Sequence, residues 1–552
     1  MIPGQALPGG SGGLGRESAI LAAGTVVSRL LGFVRAVVLT TAIGLAAAGD
    51  SFGVANQLPN NIYALIAGGV LGAVLVPQIV RAASHDDGGQ RFINRVVTLG
   101  IVIFAVVTVL ATLAAPALVR LYASGSVFGR GFTPEAFALA TAFAYWCLPQ
   151  IFFYALYSLL SEVLNARRVF GPFTWAPVLN NLVSLAGLVV FMALFGAASH
   201  NSEIADWDGA RIMLLGATTT LAIAAQALIL VAFWRRAGLV FRPDFRWRGV
   251  GLAATGRAAG WLFGMVLVTQ LAGIVQTRVV SIASGHGPSV LALQNSWLIF
   301  MLPHSVIAVS IATAYFTRMS LNAHSGNRAR MRADLSASLR SIGLLIIFAA
   351  VALSVVAYPF ARFFTDTGFA DVRGMANVIL AFLPGLVMFS ALFVLQRVFY
   401  ALGDNRTPFL LQCFQSGLFV LGALLCAALP SQWIGAGVAA VTSFAGSSQA
   451  VVAVVLVRSR LGGIDGRRIL RRYLQFLALA LVSGAAGLLL VLALGGLDAA
   501  GFAQSTKLAA MLTIGLAGTV MALVYFALLA VFRNPELKSA GSVLLGRFRR
   551  ND

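Results

Sequence analysis

The sequence predicts an all-α polytopic membrane protein with about 14 transmembrane helices. We expect two six-helix lobes related by a pseudo-twofold axis along the membrane normal, plus two extra C-terminal helices. Composition is the first reason, since 59% of the 552 residues are hydrophobic and 10% are charged. The second is that apolar runs of bilayer-spanning length recur from Ser18 to Phe532. The third is an internal repeat of short motifs that divides the chain into two related halves.

Fourteen spans follow from the apolar runs, at residues 18–46, 51–80, 92–118, 134–164, 173–197, 209–234, 252–284, 287–317, 333–358, 374–402, 408–429, 432–457, 473–495 and 506–532. Spans 1–6 form an N-lobe at 18–234, spans 7–12 form a C-lobe at 252–457, and spans 13 and 14 lie at 473–532. Residues 1–17 are rich in glycine and proline and lack a signal-peptide pattern, so we expect a disordered cytoplasmic N-terminal tail. The remaining segments are a basic cytoplasmic linker at 235–251, a basic linker at 458–472 and a basic cytoplasmic tail at 533–552.

The net charge of +21 lies mostly in short segments between spans, where it indicates membrane orientation rather than nucleic-acid binding. With both termini in the cytoplasm, 30 of the 39 Lys and Arg residues fall on cytoplasmic segments, 6 on external ones and 3 at membrane depth. This asymmetry supports both the span assignment and the cytoplasmic placement of the N- and C-termini.

Enzymatic motifs are absent from the sequence. The three cysteines fall in apolar runs without metal-ligand or CxxC spacing, and they are expected to be packing residues. The sequence contains no P-loop, no Ser-His-Asp arrangement and no metal-ligand cluster, so we expect neither catalysis nor a cofactor or metal.

Two arginines interrupt the first span, within Ser28-Arg29-Leu30-Leu31-Gly32-Phe33-Val34-Arg35, and no acidic residue lies between Glu17 and Asp50. A charge at the centre of a membrane helix costs ~2.5–3.5 kcal/mol and usually marks a pathway or a ligand site. The alternative is that a buried acid elsewhere neutralises them. A guanidinium binds phosphate oxygens through two parallel hydrogen bonds, so Arg29 and Arg35 are candidate substrate-binding residues for an anion.

The internal repeat appears as four matches in the same order and at nearly the same offset. Thr269 to Gln276 matches Ser28 to Arg35 at an offset of 241, keeping the central glycine and replacing both arginines with Gln270 and Gln276. The other three matches are Leu302-Pro303-His304 with Leu58-Pro59-Asn60, Leu383-Pro384 with Leu148-Pro149, and Pro408 with Pro172. Spans 13 and 14 have no counterpart in this repeat.

At these residues the chain resembles the MurJ (MviN) lipid II flippases, within the multidrug/oligosaccharidyl-lipid/polysaccharide exporter superfamily. The resemblance is carried by Ser28 to Arg35, Asp50-Ser51-Phe52, Leu58-Pro59-Asn60, Val76-Pro77, Leu164-Asn165-Ala166, Ala176-Pro177 and Asn180-Asn181. It implies export of undecaprenyl-pyrophosphate-linked peptidoglycan precursor across the bacterial cytoplasmic (inner) membrane, by alternating access around a cationic cavity. The lipid-linked precursor is the expected partner, and cell-wall synthesis proteins are further candidates.

The resemblance carries the family's first-helix arginines to Arg29 and Arg35 and its acidic residue to Asp50. The chain departs from the family pattern at three places. Tyr63-Ala64, Gly68 and Leu298 stand where family members have arginine, glutamate and arginine. Arg278, beyond Gln276 on the seventh span, is a candidate replacement in the cavity; the alternative is that it reaches the external surface.

The other candidate residues each have two interpretations. Asp50 could pair with a first-helix arginine in one conformation, or cap the second span. Asn60, Gln270 and Gln276 could donate to sugars or phosphates, although amides in membrane helices more often bond between helices. His304 could couple transport to protons, although a packed core histidine is the more common case.

Three other functions compete with a lipid II flippase. A flippase for another lipid-linked oligosaccharide would need the same pyrophosphate chemistry. A multidrug exporter of cations would need an acidic cavity. A non-transporting scaffold for cell-wall assembly would have paired arginines and no central cavity.

Overall fold

The structure is a computed structural model that describes residues 11–82, 89–123, 130–167, 169–246, 256–365 and 368–537. Residues 1–10 of the predicted N-terminal tail, 247–251 of the basic linker and 538–552 of the C-terminal tail lie outside the described residues. The described chain is helical and contains no strands. The predicted all-α polytopic fold class is therefore confirmed.

Contacts divide the described chain into two compact units. The first comprises the described parts of 1–42, 51–120 and 135–266, and the second those of 43–50, 121–134 and 267–552. The segments 43–50 and 121–134 thus belong to the second unit although they lie inside the predicted N-lobe. The predicted lobe boundaries stay a prediction.

Eight helices of the described chain lie wholly or mainly in the first unit. They are α1 (Ser11–Ile43), α2 (Ala47–Ala82), α3 (Gln90–Leu113), α4 (Ala115–Tyr122), α5 (Pro134–Cys147), α6 (Gln150–Ala166), α7 (Phe170–Phe195) and α8 (Gly209–Trp234). Helix α8 packs against α7 and α6, and α6 packs against α3.

Twelve helices of the described chain lie wholly or mainly in the second unit, although residues 256–266 of α9 belong to the first. They are α9 (Gly256–Ser281), α10 (Val290–Pro303), α11 (Val309–His324), α12 (Arg328–Val355), α13 (Ala357–Phe364), α14 (Phe369–Phe382), α15 (Leu386–Ala401), α16 (Arg406–Cys426), α17 (Ser431–Leu461), α18 (Gly466–Ala493), α19 (Phe502–Ser505) and α20 (Lys507–Val531). Thirteen segments of the described chain are long and apolar enough to cross a membrane, and the 36-residue helix α2 corresponds to the remaining predicted span.

Proline divides three predicted spans into shorter helices, because it lacks the N–H that continues the helical hydrogen bonds. Helices α5 and α6 are separated at Leu148-Pro149, and α14 and α15 by a 3₁₀ turn at Leu383–Gly385. A π-helical turn at His304–Ala308 follows Pro303 between α10 and α11. The first two breaks occur at matching positions of the internal repeat.

Hydroxyl groups from neighbouring spans bind the carbonyls at the first two breaks. Thr220 on α8 donates to the Trp146 carbonyl at 2.6 Å. Ser443 on α17 donates to the Phe382 carbonyl at 2.8 Å. A carbonyl freed from helical hydrogen bonding in a membrane must find another donor. Spans 6 and 12 therefore stabilise equivalent breaks in spans 4 and 10.

Spans 13 and 14 pack within the second unit through helix α12. Tyr473 on α18 donates to the Leu339 carbonyl at 2.9 Å, and Tyr525 on α20 donates to the Leu344 carbonyl at 2.8 Å. The Tyr525 ring also stacks on Phe348, with centroids 4.8 Å apart. The two extra spans are thus fixed to α12 by hydrogen bonds as well as apolar contact.

The described part of the basic linker is extended and lies along helix α3. Alternate residues make the contacts: Gln90 Nε2 donates to the Val240 carbonyl at 2.8 Å, and the Asp244 N–H donates to Thr98 Oγ1 at 3.0 Å. Arg95 Nε donates to Asp244 Oδ2 at 2.9 Å. Asn94 lies between Gln90 and Thr98 and accepts from the Arg242 N–H at 3.3 Å, so side chains four residues apart on the helix bind backbone groups of the segment Leu239 to Arg246.

We expect acid to release this segment. The Arg246 N–H, together with the Arg95 guanidinium, holds the pKa of the Asp244 carboxyl below its usual 3.8. A carboxyl whose pKa is lower in the folded than in the unfolded protein stabilises the fold at pH values above its unfolded pKa. This stabilisation is lost as the pH falls through the folded pKa. Pepsin cleavage within 239–246 can be followed by mass spectrometry from about pH 5 to pH 3. Normalised to cleavage of an unstructured reference peptide, which corrects for the pH dependence of pepsin itself, it should increase with falling pH in the wild type. Asp244→Asn should show little pH dependence, and an equal response in both proteins would contradict the assignment.

Candidate functional site

Arg29 and Arg35 both lie on helix α1 in the first unit. Six residues on an ideal helix correspond to a rise of about 9 Å and a rotation of about 120° between the two side chains. The Arg29 side chain is exposed and that of Arg35 is half-buried. Neither guanidinium forms an ion pair with a carboxylate of the described residues. The structure thus leaves both arginines with hydrogen-bonding capacity for an anion.

A pair of tyrosines neighbours Arg35. The Tyr154 side chain on α6 lies near the Arg35 guanidinium. The Tyr154 ring stacks on Tyr63 of α2, with centroids 5.8 Å apart and planes at 27°. Tyr63 also hydrogen-bonds Ser158 and contacts the Phe104 ring. Tyr63 was identified in the sequence only as a departure from the family arginine, and its pairing with Tyr154 was not predicted.

Two amide side chains of α7 bind its neighbours, one of them on helix α1 next to Arg29. Asn181 Nδ2 donates to the Ser28 carbonyl at 3.0 Å. Asn180 Nδ2 donates to Gln226 Oε1 on α8 at 2.7 Å, in a buried contact. A side chain at Gly24 would meet Thr174 at 2.6 Å, so glycine permits the close approach of α1 and α7. These contacts connect Asn181 to the arginine-bearing helix and Asn180 to α8.

Asp50 lies in the first turn of α2, but its carboxylate binds the start of helix α10. Oδ1 accepts from the Leu291 N–H at 3.0 Å, and Oδ2 accepts from Ser284 Oγ at 2.7 Å. The side chain is fully buried. A carboxylate at a helix N-terminus satisfies a free N–H and interacts favourably with the helix dipole. Asp50 therefore caps α10, whereas the cap considered from the sequence was on the second span.

Asp50→Ala should lower the stability of the protein by about 2 kcal/mol, because it leaves the buried Leu291 N–H without an acceptor. Asp50→Asn should cost less, since its carbonyl oxygen can still accept that hydrogen bond. Thermal unfolding of the purified protein in detergent tests both variants. Unchanged stability of Asp50→Ala together with lost transport would show instead that the carboxylate acts on the substrate or on an arginine.

The candidate amides lie on two helices. Asn60 is exposed on α2, and Gln270 and Gln276 are half-buried on α9. Neither glutamine side chain is hydrogen-bonded to another residue in the described ranges. Asn60 belongs to the first unit with Arg29 and Arg35, and the two glutamines belong to the second.

Arg278 is exposed in the last turn of α9, where its guanidinium donates to the Leu121 carbonyl at 3.1 Å. Leu121 belongs to the last turn of α4 and to the same unit as Arg278. Cationic side chains stabilise helix C-termini by binding free carbonyls. This contact gives Arg278 a structural role that the sequence did not predict.

His304 is buried in the π-helical turn after Pro303. Its Nδ1 lies 3.0 Å from Ser390 Oγ, and its ring makes edge contacts with Phe389 and Phe393 at 4.7 and 5.4 Å. These surroundings are those of a packed core histidine. Arg397 lies over the Phe393 ring, with its guanidinium carbon 4.5 Å from the ring centroid.

The described residues form an all-helical architecture with thirteen segments long and apolar enough to cross a membrane, which defines a polytopic membrane protein. An inward-facing multidrug resistance MATE family transporter of the MOP superfamily matches at TM-score 0.60 and 17% identity, covering 79% of this chain and 94% of that one. This likeness concerns the fold.

The chain belongs to the MurJ lipid II flippase family, whose model matches residues 39–497. Probable lipid II flippases MurJ of Haemophilus influenzae and Vibrio cholerae are 29% and 27% identical to it. These matches cover 70% and 71% of this chain, and 75% and 74% of those proteins. A solved lipid II flippase MurJ in an inward closed conformation matches at TM-score 0.70 and 17% identity, covering 94% of this chain and all of that one.

Proposed function

We propose that this protein is a lipid II flippase that exports undecaprenyl-pyrophosphate-linked peptidoglycan precursor across the bacterial cytoplasmic membrane. The observation that carries the proposal is that Arg29 and Arg35 stand on a membrane helix without a carboxylate partner among the described residues. Membership of the MurJ family supports the choice of lipid II as the substrate. Transport proceeds by alternating access around a cationic cavity, and both termini are cytoplasmic.

The pyrophosphate of the substrate is the group that Arg29 and Arg35 bind. A guanidinium stays protonated at membrane depth and donates two parallel hydrogen bonds to phosphate oxygens. Tyr154, which is stacked on Tyr63, lies near Arg35 at this position. The free amides of Gln270 and Gln276, with Asn60, donate to sugar and phosphate oxygens. Cell-wall synthesis proteins that supply or consume the lipid are further partners.

The membrane potential gives the transport direction. With the cytoplasm negative, moving one charge across 100 mV changes the free energy by ~2.3 kcal/mol. This favours outward movement of an anionic headgroup and inward return of the empty, positively charged cavity. Collapsing the potential at constant pH gradient should therefore slow lipid II flipping. Undiminished flipping under that condition would refute electrical driving, but not the substrate assignment.

The test of the function is translocation of fluorescent lipid II by the purified full-length chain in phospholipid vesicles. A reagent added outside, which modifies only the exposed headgroup, reports the fraction of lipid II that has crossed. We expect faster crossing than in protein-free vesicles. A second undecaprenyl-pyrophosphate lipid with an unrelated glycan, measured in parallel, tests the headgroup. Equal rates for both lipids would indicate a general lipid-linked oligosaccharide flippase, and no crossing of either would indicate a scaffold.

A further inference from the structure

A basic cavity lies at the start of helix α18, outside the candidate transport site. Its volume is about 530 Å³, and the described residues that line it are Arg468, Arg471, Arg472 and Gln475. Their spacing of three, four and seven residues places them on one side of the helix. Three guanidinium groups therefore converge on one open volume at the polar end of a membrane span.

Only one of the three arginines is bound to a carboxylate of the described residues. Arg472 Nε lies 3.6 Å from Glu536 Oε2, and an Arg472 terminal nitrogen donates to Gln475 Oε1 at 2.7 Å. Glu536 is itself bonded to Arg340, with Oε1 2.6 Å from the guanidinium. Arg468 and Arg471 are exposed. The cavity thus has a fixed guanidinium on one wall and two more that lack a carboxylate partner within the described chain.

The same side of the helix continues as an exposed apolar surface. Val482 and Leu489 follow Gln475 by seven and fourteen residues, so they lie above it along the helix axis. Their exposed fractions are 57% and 69%. A ligand with an anionic head and an apolar chain fits this sequence of surfaces, whereas a small soluble anion would use only the cavity.

We propose that the cavity binds the phosphate of an anionic phospholipid headgroup, with an acyl chain lying along Val482 and Leu489. Arginine forks match the oxygens of a phosphodiester, and basic pockets beside membrane helices bind anionic lipid headgroups in this way. Because α18 is fixed to α12 through Tyr473, a bound lipid stabilises the second unit. This binding is independent of the proposed flippase activity.

The test measures thermal unfolding of the delipidated full-length protein in neutral detergent, titrated with phosphatidylglycerol, phosphatidylcholine or inorganic phosphate. We expect phosphatidylglycerol to raise the unfolding temperature more than phosphatidylcholine does. Arg468→Gln/Arg471→Gln should weaken the apparent affinity for phosphatidylglycerol by about tenfold or more. The matched control Arg458→Gln/Arg467→Gln removes the same charge from nearby positions outside the cavity lining and should keep the wild-type affinity.

A second variant covers the case in which the double substitution fails to fold. Gln475→Glu is nearly isosteric, keeps all three arginines and places a carboxylate in the cavity, so it should also weaken phosphatidylglycerol binding. Equal effects of the cavity and control variants would overturn the proposal. Stabilisation by inorganic phosphate equal to that by phosphatidylglycerol would also overturn it, since the site would then bind a soluble anion.

Discussion

Arg29→Ala and Arg35→Ala are each expected to slow lipid II translocation by about two orders of magnitude. A charge-assisted hydrogen bond is worth about 1.5–3 kcal/mol, and each guanidinium can make two to the pyrophosphate. Loss of two such bonds at the lower value is about 3 kcal/mol, or roughly 100-fold. The measurement is the vesicle assay described above, at equal amounts of folded protein in each preparation.

Two further variants separate charge from geometry. Arg35→Lys keeps a positive charge but loses the planar fork, so it should fall between the wild type and Arg35→Ala. Arg373→Ala removes an exposed arginine at the beginning of α14 and should leave the rate unchanged. If Arg29→Ala and Arg35→Ala both transported at the wild-type rate, the two arginines would have no part in substrate binding.

Glu536→Ala is expected to destabilise the protein by about 3 kcal/mol or more, because removing one partner of a buried ion pair leaves the other charges uncompensated. Glu536 is 6% exposed, and the Arg340 side chain beside it is 13% exposed. Arg472 is the second cation at this carboxylate. Thermal unfolding in neutral detergent measures the loss.

The double variant Arg340→Met/Glu536→Met tests the cause of that loss. Replacing a buried ion pair with apolar side chains of similar size is often nearly neutral, so the double variant should recover most of the stability. Glu203→Gln, which alters an exposed carboxylate, is the matched control and should unfold at the wild-type temperature. A double variant as unstable as Glu536→Ala would show that the site matters through packing rather than charge.

Spans could be predicted from the sequence because hydrophobic length is a local property. The sixth span, predicted at 209–234, corresponds to helix α8 at Gly209–Trp234. The breaks at Pro149 and Pro384 were not predicted as ends of separate helices, although both Leu-Pro pairs were recognised as repeat motifs. Whether a proline divides a span depends on donors from neighbouring helices, such as Thr220 and Ser443, and no local pattern shows those.

In the candidate site, too, local features could be predicted from the sequence and non-local contacts could not. The arginines could be identified from the sequence because a charge in an apolar run is itself a signal. The position that Asp50 caps could not, because its partner Leu291 is 241 residues away and any of several helix starts could accept a carboxylate. The pairing of Tyr63 with Tyr154 is equally non-local. Aromatic residues are common in membrane spans, so neither tyrosine stood out from its neighbours.

The extended segment Leu239 to Arg246 sets the path of the chain after helix α8. Its hydrogen bonds to Gln90, Asn94 and Thr98 hold the chain that follows α8 along α3. A tilt of α3 would therefore displace residues 240–244 together with the helix. Lengthening the chain before residue 239 would leave these hydrogen bonds in place, whereas substituting the three side chains of α3 would release the segment.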